Sequence, residues 1–214
     1  MEKIMYTTNN PLMEWVARYQ VLNYLISKYQ YENYLEIGVN TGDNISKINV
    51  KNKDGVDPVK QHDMTNFEMT SDDFFEQLDA EKKYDIIFID GLHLHEQVIK
   101  DIDNSLKHFS PNGIILLHDC NPTQEHYQFR DPVYNQPWNG DIWKAILHFR
   151  KTRSDLQMCT INTDYGLGVI VPGEQDLYKN NDHENVADYT YEFFDKNRVE
   201  ILNLVSLNQF TSWV

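Results

Sequence analysis

Apolar residues along the chain fall into two alternating patterns. Short continuous runs, YDIIFID (84–90) and GIILLHD (113–119), suit strands buried on both faces of a parallel sheet. Between them HEQVIKDIDNSLKHF (95–109) spaces Val98, Ile102 and Leu106 four apart, the stripe of a helix, and SPNG closes it. YLEIGV (34–39) predicts a strand ending on a glycine, and TGDNISKI behind it a helix; DGVDPV (54–59) and residues 64–70 predict two more strands. Residues 12–29 place Trp15, Tyr19, Leu22 and Leu25 or Ile26 at three- and four-residue steps, which predicts an amphipathic helix. DIWKAILHFRK (141–151) predicts another helix, and LQMCTINTDYGLGVIVPG (156–173) two strands joined by a turn near Asp164. The tail YTYEFFDKNRVEILNLVSLNQF carries a further helical stripe. This βαβ alternation predicts an α/β, Rossmann-like three-layer sandwich, with a seven-stranded, mostly parallel sheet and an antiparallel C-terminal hairpin. One domain is expected over 1–214: an N-terminal helix in 1–30, the core in 31–173 and a helical tail in 174–214.

Composition narrows the partners. A net charge of −14 opposes nucleic acid and anionic membrane surfaces. No apolar run reaches the roughly 20 residues that span a bilayer. The opening MEKIMYTTNNPLMEW lacks the apolar core and cleavage site of a signal peptide, so the reading is cytoplasmic. Cys120 and Cys159 are too few and too isolated for a disulfide framework or a zinc site, and read as buried thiols.

In an open α/β sheet, ligands bind where the strands end. Glu36-Ile-Gly38-Val-Asn40-Thr-Gly42 is a glycine turn after a strand, but lacks the G-x-G-x-x-G of a dinucleotide site. Asp57 follows about 20 residues past the turn, where a carboxylate commonly accepts ribose hydroxyls. Ser71, Asp72 and Asp73 read first as a helix N-cap with first-turn acids, a reading that leaves the same residues able to touch an adenine. Asp90 and Asp119 end two strands expected to be neighbours, and two converging carboxylates repel unless a proton or a cation sits between them. His93, three residues past Asp90, titrates near neutral pH and could take a proton from a hydroxyl. His95 is expected to open the following helix and face solvent. The loop after Asp119 offers Tyr127, Tyr134, Trp138 and Trp143 either to an acceptor or to packing on the sheet.

These residues, with FIDGLH, GIILLHDCNP, GDIWKAI and TDYGLGVI, resemble the class I S-adenosylmethionine-dependent methyltransferases. The chain is particularly similar to the small bacterial enzymes related to catechol and sugar O-methyltransferases. The resemblance implies that the turn of Glu36, Gly38, Asn40 and Gly42 holds the methionine part of S-adenosylmethionine. It implies Asp57 on the ribose, Ser71 and Asp72 beside the adenine, Asp90 bordering the cofactor and His93 as the base, as in macrolide sugar O-methyltransferases. It further implies a divalent ion on Asp90 and Asp119, with an Asn directly after the second aspartate. Here that residue is Cys120 and Asn121 comes one later, so His118 is the substitute ligand, shifting preference from Mg²⁺ towards Mn²⁺. The activity expected is O-methylation of a small-molecule acceptor, a sugar or glycan intermediate by resemblance, with the tail available to cover a sheet edge or to form a homodimer seam. The competing readings are a non-catalytic scaffold, an NAD(P)-dependent oxidoreductase, and metal-independent transfer to nitrogen or a carboxylate.

Overall fold

The computed structural model describes residues 15–180 and 182–213. Its elements run α1 (Arg18–Tyr29), β1 (Asn33–Ile37), β2 (Asn52–Asp57), β3 (Phe67–Glu68), α2 (Ser71–Gln77), β4 (Tyr84–Ile89), α3 (His95–His108) and β5 (Phe109–Leu117). After a long loop come α4 (Trp143–Thr152), β6 (Leu156–Ile161), β7 (Leu167–Pro172), α5 (Tyr191–Leu202), β8 (Leu204–Val205) and α6 (Leu207–Trp213).

The continuous apolar runs are explained by burial on both faces. Ile87, Ile89, Ile115 and Leu117 point into one hydrophobic layer, with Val98 and Ile102 of α3, Ile146 of α4 and Phe194 of α5. Ile86, Phe88, Ile114 and Leu116 point into the opposite layer, with Leu22 and Leu25 of α1 and Phe210 of α6. The result is the expected three-layer sandwich.

The strands lie in the order β3-β2-β1-β4-β5-β7-β6-β8. β1 pairs in parallel with both β2 and β4, so successive connections leave it in opposite directions and a crevice opens at the carboxyl ends of β1 and β4. The β6–β7 hairpin packs antiparallel against β5, as the pattern predicts.

Three expectations change. The sheet has eight strands rather than seven: Asn203, at φ 43°, ends α5 and turns Leu204 and Val205 alongside β6, where its side-chain amide donates to the Met158 carbonyl at 2.9 Å. Those two apolar residues had fitted the helical stripe equally well. The segment after Gly42 forms a single 3-10 turn, Ile45–Lys47, in place of a helix. The expected start of the first helix at residue 12 lies outside the described residues; the helix begins at Arg18, where the Gln20 side chain accepts from the Ala17 amide at 3.1 Å. Among the described residues, no helix is long and apolar enough to cross a membrane. Cys120 and Cys159 are free and buried, and burial pushes both thiols up to about 12, which leaves them inert.

Candidate active site

A cleft of about 480 Å³ occupies the crevice between the ends of β1 and β4. A larger groove of about 670 Å³, against Tyr29, Tyr31 and Pro172, lies at the opposite ends of the strands, away from the converging charged groups. The chemistry therefore points to the smaller cleft.

Gly38 makes the crevice narrow. Its φ of 90° is open to glycine, and a Cβ there would lie 2.1 Å from the Asp90 carbonyl oxygen. Asn40, also left-handed at φ 47°, donates its backbone N–H to Asp57 Oδ2 at 2.8 Å, and Val59 donates to Oδ1 at 2.9 Å. Two backbone donors thus fix the Asp57 carboxylate at the cleft wall, and each oxygen keeps a lone pair for a further donor. Asp57→Ala is expected to weaken binding of S-adenosylhomocysteine roughly 10- to 100-fold, the scale of a hydrogen bond to a charged group, as read by calorimetry.

At the far end Thr70, rather than Ser71, caps α2, accepting from the Asp73 amide at 3.1 Å. Ser71 is released to donate to Asp101 Oδ1 at 2.6 Å, while Gln97 donates to Asp72 at 2.9 Å and to Asp101 at 3.1 Å. Burial pushes the Asp101 carboxyl up to about 6 against these donors. Gly38, Asn40, Asp57, Ser71, Asp72 and Asp90 all line the cleft.

Glu36 and Gly42 do not line it. Glu36 is only 1% exposed and sits behind the turn, accepting from the Tyr34 hydroxyl and from Asn44 Nδ2 at 2.8 Å. Burial outweighs these donors and pushes its carboxyl up to about 7. The native state then holds a proton there that the unfolded state releases, so stability falls as pH rises from about 4.5 through about 7, by roughly 3 kcal/mol. Glu36→Gln is expected to raise the denaturation midpoint at pH 8 and leave it unchanged at pH 4.5, measured by urea unfolding at both pH values. Gly42, at φ 79°, packs against the His62 ring, where a Cβ would lie 2.3 Å away.

Beyond Asp90 the groups crowd together. Asp119, at the end of β5, has φ 59°, and the β6–β7 turn brings Asp164, at φ 42° and buried, to the same place. His118 lies between the carboxylates: Nδ1 is 2.8 Å from Asp119 Oδ2 and 3.3 Å from Asp90 Oδ1, and Nε2 is 3.5 Å from Asp164 Oδ1. Arg18, from the start of α1, sets Nε 3.6 Å from Asp90 and Nη1 3.5 Å from Asp164. Burial alone would push the His118 imidazole down, but the charges of Asp90 and Asp119 outweigh it and hold the ring well above its ordinary value. Asp90 is likewise held well below the carboxylate range, because the charge and hydrogen bond of His118, with His93 and Arg18, overcome burial.

His93 completes the group. Its Nε2 is 3.4 Å from Asp90 Oδ1 and 3.7 Å from Asp119 Oδ2. Its Nδ1 faces the Trp138 carbonyl at 2.9 Å and must therefore carry a hydrogen, which makes Nε2 the nitrogen that gains and loses the proton. The Trp138 ring stacks on the imidazole at 4.7 Å.

The implied divalent ion can be tested against these residues. One donor atom each from Asp90, His93 and Asp119 lies within 4.8 Å of the others, so these three could hold an ion, whereas the residues expected to supply the third ligand are turned elsewhere. His118, the expected ligand, turns Nδ1 to Asp119 and Nε2 towards Asp164 and Arg18, leaving neither ring nitrogen for a metal. Asp119 Oδ1 is taken by Asn139 Nδ2 at 2.9 Å. Cys120 points its thiol back at the Leu117 and His118 carbonyls, and Asn121 is tied to Asn162 and Arg198.

His95 corrects its expectation. It opens α3 but is buried: Asp141 accepts from its backbone at 2.7 Å and from Nδ1 at 2.8 Å, and Arg130 covers Asp141 at 2.8 Å. Trp143 is core, stacked on Phe194 at 4.5 Å, and Tyr134 is 88% exposed, so of the four loop aromatics Trp138 alone contacts His93. Arg18, Asn139 and Asp164 were missed, because each reads locally as a helix-surface, loop or turn residue.

Residues 35–120 match a family described as a methyltransferase domain. Among solved structures, an O-methyltransferase from Bacillus cereus in complex with SAH superposes with a TM-score of 0.53 at 17% identity, covering 74% of this chain and 82% of that one. The O-methyltransferase TomG from Streptomyces achromogenes, in complex with SAM, gives 0.53 at 13% identity over 74% and 82%. A candidate O-methyltransferase from Klebsiella pneumoniae gives 0.57 at 15% identity over 74% and 81%. No curated protein matches the chain.

Proposed function

We propose that this chain, which has the fold of the class I S-adenosylmethionine-dependent methyltransferases, transfers a methyl group to a hydroxyl of a small-molecule acceptor, with His93 as general base. The observation that carries the reading is the direction of His93: Nδ1 is pinned by the Trp138 carbonyl, and Nε2 is aimed beside Asp90, a wall of the cleft. S-adenosylmethionine supplies an electrophilic methyl group when bound. The Gly38 turn leaves backbone room for its methionine part, Asp57 accepts from ribose hydroxyls, and Ser71 and Asp72 border the adenine. His93 Nε2 takes the proton of the acceptor hydroxyl, and the walls hold the acceptor oxygen in line for displacement. The Trp138 and Tyr127 rings of the loop offer the flat apolar faces that sugars stack on, which supports a sugar or glycan intermediate as the acceptor class. No step of this reading runs through the Mg²⁺ or Mn²⁺ that the resemblance implies on Asp90 and Asp119.

Asp90 and Asp119, against the burial that would lower it, hold the His93 imidazole above its ordinary value. The base works unprotonated, so activity should rise with pH, with a midpoint above the usual imidazole value of about 6.5, and fall away on the acid side. The test is release of S-adenosylhomocysteine from S-adenosylmethionine across a panel of hydroxylated sugars and aromatic alcohols. Turnover with any member supports the reading, and binding without turnover across the panel favours a scaffold.

A further inference from the structure

Within the reading of the cleft as an S-adenosylmethionine site, on which this inference rests, we infer that Gln97 is the residue that selects the base. Its side-chain oxygen accepts a hydrogen bond from the 6-amino group of adenine and turns away bases that carry an oxo group there. Gln97 stands on the first turn of α3 and lines the cleft together with Met69, Ser71, Asp72 and Leu92. Met69 and Leu92 supply apolar surface for the faces of a planar base, so the polar side chains beside them are left to read its edge.

The neighbours of the amide fix which way round it sits. Gln97 Nε2 lies 2.9 Å from Asp72 Oδ1, 3.1 Å from Asp101 Oδ1 and 3.2 Å from Ser71 Oγ. All three atoms accept, and turning the amide over would set its oxygen against two carboxylates. The Ser71 hydroxyl spends its single hydrogen on Asp101 Oδ1 at 2.6 Å, which leaves Oγ an acceptor towards Gln97. Asp101, one helical turn further along α3, is fully buried, and its other oxygen has no hydrogen-bond partner. It is a positioning residue that gathers Ser71 and Gln97 on one oxygen.

What Gln97 offers a ligand is therefore an acceptor. Among the described residues, no group donates to Gln97 Oε1. Asp72, by contrast, takes Gln97 on one oxygen and Lys100 Nζ on the other, at 2.9 Å. A 6-amino group is a donor and meets Gln97 Oε1 in the right sense, whereas a 6-oxo group would bring acceptor against acceptor and leave both unpaired. A site built to hydrogen-bond one group rejects an analogue that lacks it more sharply than an apolar pocket does. Ser71 and Asp72 thus border the base, and Gln97 supplies the selectivity.

The experiment is calorimetric titration of S-adenosylhomocysteine and of S-inosylhomocysteine, the same molecule with an oxo group in place of the amine, into the full chain. Wild type is expected to prefer the adenine compound by roughly 10- to 100-fold, the scale of one well-made hydrogen bond against an unpaired acceptor. Gln97→Met, which keeps the length of the side chain and removes the amide, should bring that ratio close to unity, chiefly by weakening S-adenosylhomocysteine. Gln97→Leu repeats the arm should the Met variant unfold. Equal affinity of wild type for the two compounds would overturn the inference. A folded Gln97→Met or Gln97→Leu protein that keeps the wild-type ratio would overturn it too, and would move the recognition of the amine to Asp72. Failure of wild type to bind either compound would instead strike the methyltransferase reading itself.

Discussion

Replacing His93 by alanine is expected to lower kcat by roughly 10²- to 10⁴-fold, the usual contribution of a positioned base, while leaving S-adenosylhomocysteine affinity close to wild type. Affinity is spared because His93 does not line the 480 Å³ cleft. Alanine also removes the surface on which Trp138 stacks and a hydrogen bond to the Trp138 carbonyl, so the loop could loosen and raise the KM of the acceptor. His93→Gln separates the two effects. A glutamine amide can still donate to that carbonyl but takes no proton, so kcat should fall as far as in the alanine variant with a smaller change in KM. Steady-state kinetics of both variants checks this, and a glutamine variant with near wild-type kcat would leave His93 a merely structural role.

Gly38→Ala is expected to cost about 4 kcal/mol of stability and to abolish S-adenosylhomocysteine binding, with denaturant unfolding and calorimetry as the readouts. The substitution meets two obstacles at once. At φ 90° an L-residue is strained, and the new Cβ would lie 2.1 Å from the Asp90 carbonyl oxygen, which is backbone and cannot swing aside. Relief requires β1 and β4 to part, at the expense of the 2.8 Å hydrogen bond from Asp90 N to Ile37 O. That bond helps set the width of the crevice. Gly91, on the opposite wall, is the matched control. Its φ is not left-handed and the nearest atom to a new Cβ is the Ile37 Cγ2 methyl at 3.3 Å, so Gly91→Ala should stay within about 1 kcal/mol of wild type.

The elements of the sheet were legible because burial on both faces leaves a plain trace, the unbroken apolar runs at 84–90 and 113–119. The cleft was legible too, since Gly38, Asp57, Ser71 and Asp90 each close a strand or open a helix, and the topology of parallel strands brings such positions together. The network around Asp119 was not. Arg18, Asn139 and Asp164 come from a helix start, a loop and a hairpin turn separated by more than 100 positions at the extremes, and local pattern carries no signal of which turns meet. His118 was legible beside Asp119, but the carboxylate of Asp164 and the guanidinium of Arg18 that also meet its ring come from distant turns that no local pattern signals. His95 was misjudged for the same reason, because Asp141, its buried partner, lies 46 positions away.

The most direct test of the account is calorimetric titration of S-adenosylhomocysteine into the wild-type protein, with Asp57→Ala and NADH alongside. The account predicts saturable one-to-one binding that Asp57→Ala weakens at least tenfold, and no heat from NADH. A flat wild-type isotherm, or binding of NADH alone, would contradict it.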